Sequence, residues 1–110
     1  RAALTADLQL LSEAMPRNLD SVRLRLDRAA RGQRPRGLTR EGLDSLRQIH
    51  DSARQAWPGI QAMIDSGDLA AAFAQAIQLR NRVSGAMVAL GLAADERAWG
   101  NLQLAPDSAR

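Results

Sequence analysis

The chain has 110 residues, 45% of them hydrophobic, and 15 basic against 12 acidic residues give it a formal net charge of +3. That length and apolar content suit one domain with one modest core. Without cysteine there is no disulfide framework, thiolate metal centre or cysteine nucleophile, and no apolar run approaches the ~20 residues of a membrane-crossing helix.

In the first segment Leu4, Leu8, Leu11, Met15, Leu19, Val22 and Leu26 alternate steps of four and three. Such a stripe predicts a helix with one buried face. Pro16 falls inside it; proline removes a backbone donor and crowds the preceding turn, so a kink or two abutting helices is expected there. Gln9 and Glu13, four residues apart, share a face turned roughly 120–160° from the stripe and belong to the surface. The pattern ends at "ARGQRPRGL", where Gly32, Pro35 and Gly37 mark a connector. Basic charge gathers around it: residues 17–47 hold nine arginines against Asp20, Asp27, Glu41 and Asp44. The surplus is local, because the whole chain nets only +3.

A second stripe runs through Leu43, Leu46, His50, Ala53, Trp57, Ile60 and Ile64, with Thr39 placed to cap its first turn and Pro58 to bend it. "DSGDL", residues 65–69, then stops one helix and starts another: Gly67 suits the left-handed C-terminal position and Asp68 the next N-cap. The third stripe is Leu69, Phe73, Ala76, Arg80, Val83, Met87 and Leu90. After Gly91, "AADERAW" reads as a short further helix and "NLQLAPDSAR" as a tail. The expectation is all-α: an up-down-up bundle of three long, proline-kinked helices over residues 1–92, followed by a short helix and tail over residues 93–110.

Candidate chemistry is sparse. His50, the lone histidine, sits about 30° from the centre of its stripe and so faces the bundle interior. Ser45 and Ser52 are near it in sequence, but nothing resembles a nucleophile elbow, and no convergent acid, base and nucleophile set marks an enzyme. Arg80 is the other polar residue in a stripe; its guanidinium either reaches the bundle edge or joins a polar layer with His50 or an acid. Arg28, Arg31, Arg34, Arg36 and Arg40 form a basic connector. It suits a solvated loop or anionic lipid headgroups, whereas the scarcity of aromatic residues for base stacking weighs against nucleic acid. Trp57, Phe73 and Trp99 are candidate anchors for a protein interface.

Three stretches, "DLQLLSEAMPRNL" at 7–19, "PRGLTREGLDSLRQIHD" at 35–51 and "IDSGDLAAAFAQA" at 64–76, together resemble the PhoU-like helical domain, as found at the C-terminus of bacterial sodium/phosphate cotransporter family proteins. Order and spacing fit over residues 4–90, and the match fades after Arg82. The resemblance implies a non-enzymatic regulatory bundle linked to phosphate transport, working through a protein partner or self-association, with no small-molecule substrate. It also implies a cytoplasmic setting, at the inner face of the bacterial inner membrane where such a domain is joined to a transporter. The family holds metal through a Glu-x-x-x-Asp motif. Here its positions are Gln9 and Glu13, which leaves Glu13 as the carried-over ligand with Asp7 as a neighbour. A neutral amide is a weak ligand for a hard cation, so no metal is expected at this motif.

Overall fold

The computed structural model describes residues 2–104. Three helices, α1 (Ala2–Ala30), α2 (Arg40–Asp65) and α3 (Leu69–Ala89), pack against one another, and a 3-10 turn comes after them at Ala94–Arg97. The chain is all-α, with the helices running up, down and up. At about 1.5 Å per residue the 29 residues of α1 span about 44 Å, which matches the 45 Å long axis of the molecule.

The core is the set of stripes expected. Leu8, Leu11, Met15, Leu19, Val22 and Leu26 of α1 are buried against Leu43, Leu46, Ala53, Trp57 and Ile60 of α2 and Ala76, Val83 and Met87 of α3. α1 and α2 each run unbroken through their proline rather than dividing into two abutting helices. Pro16 and Pro58 both lie on exposed positions. The carbonyl that each proline deprives of a donor therefore lies towards water, and the buried residues on either side hold the helix together.

The turns obey their local chemistry. Thr39 Oγ1 accepts from the Gly42 N–H at 3.0 Å and caps α2. Gly67, at φ +85°, closes α2 with bonds from its own N–H to Ile64 and from the Asp68 N–H to Met63. Asp68 precedes α3, but its side chain makes no cap bond, so the turn is held by its backbone. "AADERAW" forms a 3-10 turn in which Glu96 accepts from the Ala93 N–H at 3.0 Å.

The segment after α3 is more than a tail. Leu92, Trp99 and Leu102 are buried in the same core as the helices. From Ala98 to Leu104 the chain forms a strap along α1, running antiparallel to it: Ala98 meets Asn18, Gly100 lies against Leu10, and Gln103 meets Asp7. The described part of residues 93–110 thus completes the bundle formed by residues 1–92.

Candidate functional site

The strap is fixed by polar groups on α1. Asp7, 0% exposed, accepts the backbone N–H groups of Gln103 and Leu104, each at 2.7 Å, one on each carboxylate oxygen. At the other end Asn18 Nδ2 donates to the Ala98 carbonyl at 3.0 Å, and Arg17 donates to the same oxygen at 2.9 Å. Between them Trp99 Nε1 donates to Ser84 Oγ of α3 at 2.6 Å. Asp7 and Asn18 are eleven residues apart, three turns and about 20° of helix, so they project from one face.

This placement removes Asp7 from any cation site at Glu13. Both of its oxygens are occupied, and six residues of helix turn the two side chains about 120° apart. Gln9 and Glu13 are exposed, and among the described residues no group of three or more histidine, aspartate or glutamate side chains is gathered for a metal ion.

His50 is 5% exposed. Its Nδ1 donates to the carboxylate of the exposed Asp51 at 2.9 Å, while Nε2 is buried with no partner among the described residues. The imidazole is held within the bundle and forms no wall of the clefts between α1 and α2. Arg80 is also 5% exposed, covered by the bundle, and donates from Nε and Nη2 to Asn81 Oδ1 at 3.2 and 2.9 Å.

Two of the expected interface anchors are spent within the chain. Trp57 and Trp99 are buried in the core, Trp99 because the strap carries it back between α1 and α3; Phe73 is half-buried against the same core. The large apolar residues left outside, among those described, are Leu24, Val88 and Leu104.

Of the clefts that open between α1 and α2, two are walled by charged residues of the candidate surface or by the two prolines. The larger, about 570 Å³, lies where the two prolines face each other and is walled by Pro16, Arg17, Asp20, Arg54, Trp57 and Pro58. The smaller, about 300 Å³, lies at the connector end; its charged walls are Arg34, Arg40, Asp44 and Arg47. Around this second cleft Arg28, Arg31, Arg34, Arg36 and Arg40 are all exposed, and none has an acid within ion-pair distance among the described residues. Arginines nearer the middle of α1 do pair: Arg23 bonds Asp20 at 2.7 Å, and this bond holds its guanidinium above the ordinary arginine range. Arg25 Nη1 donates to the Gln33 carbonyl at 2.8 Å and pins the connector to α1.

The strap is the element that sequence reasoning missed. Its signal was present: Asp7, Leu11, Ala14 and Asn18 make a second stripe of steps four, three and four beside the main one, polar at each end. All four are buried. No described helix is long and apolar enough to cross a membrane. No protein-family model, curated protein or solved structure matches the chain.

Proposed function

We propose that the chain is a regulatory helical module that works by contact rather than by chemistry, its contact surface being the arginine-rich end where α1 turns into α2. The observation that carries this reading is the unmatched charge there: five exposed arginines, three on the pinned connector and one on each helix end beside it, with no acid within ion-pair distance among the described residues. Charge left uncompensated on a rigid end costs self-repulsion and favours an acidic protein surface or an anionic headgroup layer. The buried setting of His50 and the commitment of Asp7 to the strap support contact over catalysis.

The resemblance to PhoU-like domains supplies the finer proposal, a regulator of phosphate transport acting at a transporter or through self-association. In the fold its three stretches fall on the first half of α1, on the connector and first half of α2, and across the α2–α3 turn. A strain lacking the gene, complemented by wild type or by the triple variant R34E/R36E/R40E, tests it under phosphate limitation. Wild type is expected to restore normal phosphate uptake and the variant to fail. An unaltered phosphate response in the deletion strain would sink the phosphate link and leave an adaptor or dimerisation module unrelated to phosphate. Duplex DNA retained by the wild-type chain at low salt and lost by the variant would favour a nucleic-acid contact instead.

A further inference from the structure

The connector cleft has a more specific composition than a basic loop needs. Three guanidiniums reach it from separate stations: Arg34 from the connector, Arg40 from the first residue of α2, and Arg47 two turns further along. Seven residues of helix fall about 20° short of two full turns, so Arg40 and Arg47 share a face. Opposite them the wall is small, formed by Ala29, Ala30 and Gly32, which lets a ligand come close to the backbone. The N-terminal turn of α2 adds to the field: Thr39 takes the Gly42 N–H, and the Arg40 and Glu41 N–H groups have no acceptor within the helix.

One acid, Asp44, stands among the three arginines, leaving a surplus of two positive charges on the walls. Arg47 is also ion-paired with Asp27 Oδ1 at 3.6 Å, longer than a hydrogen bond, and shares that carboxylate with Arg23. Singly charged carboxylates would leave part of that surplus and still meet Asp44. A doubly charged anion offsets it, and the planar guanidinium forks match tetrahedral oxygens in pairs. We propose that this cleft binds a doubly charged tetrahedral oxyanion, a phosphate or phosphate monoester, held by Arg34, Arg40 and Arg47. The inference rests on reading the connector end as the contact surface and names what that surface holds. A soluble phosphate monoester and a lipid whose headgroup is a phosphate monoester, such as phosphatidic acid, offer the same chemistry.

Calorimetric titration of the purified chain with inorganic phosphate and glycerol phosphate, and sedimentation with phosphatidylcholine vesicles containing phosphatidic acid or, as the singly charged control, phosphatidylglycerol, tests it. Saturable binding of one soluble phosphate per chain is expected, or binding to phosphatidic acid vesicles in preference to phosphatidylglycerol vesicles if the ligand is a headgroup. In either case R40Q and R47Q should each weaken binding about tenfold, the loss of one charge-assisted hydrogen bond. D44N should tighten it. R36Q, the same charge change at an exposed arginine outside the cleft, should leave affinity within about twofold. Circular dichroism of each variant confirms that the helices are intact. Absence of binding in both arms overturns the proposal, as does an R36Q effect equal to that of R40Q, which would mean diffuse attraction with no site. Binding without a phosphate-limitation phenotype keeps the cleft and removes the transport reading; the phenotype without binding does the reverse.

Discussion

Replacing Asp7 by alanine tests whether the strap is a structural member. Both carboxylate oxygens of this fully buried side chain accept backbone amides at 2.7 Å. Hydrogen bonds to a charged group contribute about 1.5–3 kcal/mol each, so a strap that stayed in place would lose about 3–6 kcal/mol. Release of the strap limits that loss, because ordering its backbone costs about 1–2 kcal/mol per residue and this is recovered when it lets go. A net loss of about 2–4 kcal/mol is expected, on the order of 10–20 °C in melting temperature for a domain of this size. Urea unfolding followed by circular dichroism measures the loss, and amide exchange at Gln103 and Leu104 locates it. Those two amides should lose protection beyond the global change, whereas the amide of Ala53, in the middle of α2, should track global stability alone. Asp7→Asn keeps one acceptor but turns an N–H donor toward the other backbone donor, so it should recover less than half of the loss. Stability within about 0.5 kcal/mol of wild type, or unchanged protection at Leu104, would refute the reasoning.

Two further substitutions probe the helices themselves. Thr39→Ala removes the hydroxyl that caps α2 and should cost about 1 kcal/mol; a chemical-denaturation midpoint unchanged from wild type would mean that the cap is replaced by water at no cost. Trp57 is buried with its indole N–H unpartnered among the described residues, so Trp57→Phe removes an unsatisfied donor and should change stability little, whereas Trp57→Ala leaves a cavity and should cost about 3–5 kcal/mol. Equal losses for the two, by the same unfolding measurement, would show that the N–H has a partner after all.

The three helices were legible because their apolar steps of three and four recur over many turns, and a long periodic signal averages out local exceptions such as His50 and Arg80. The caps at Thr39 and Gly67 were legible because each depends on one residue's own chemistry. Residues 98–104 were not, since an irregular strap with Gly100 at φ +89° has no period, and two buried apolar residues, Trp99 and Leu102, are too few to announce a packed segment. Asp7 and Asn18 were hidden for the opposite reason. They sit beside a strong stripe and read as its polar shoulder, and only the strap makes that shoulder an inside face. The same omission misplaced the tryptophans: Trp99 looked free for a partner until the strap returned it to the core. The arginine connector was legible as charge, but the cleft was not, because Arg47 joins it through the antiparallel approach of α2 to the end of α1.

The strap also explains why the two ends of the bundle can do different work. Its hydrogen bonds to α1 run from Asp7, near the start of the helix, to Asn18, just past its middle. The basic cleft begins at Ala29, eleven residues or about 16 Å beyond Asn18. At the first end the Asp7 carboxylate and the Asn18 side-chain N–H are buried and bonded to backbone, while Asn18 Oδ1 has no partner among the described residues, and these bonds fix the chain's own return path. At the second end Arg28, Arg31, Arg34, Arg36 and Arg40 are exposed, and Arg34 and Arg40 line a cleft together with the half-buried Arg47. A carboxylate and an amide turned inward stabilise; the guanidiniums of Arg28, Arg31, Arg34, Arg36 and Arg40, turned outward with no acid within ion-pair distance among the described residues, do not, since like charges at one end repel. The stability of the bundle therefore comes from the strapped region and the shared core, and the connector end is left with a charge surplus whose offset must come from outside the described residues.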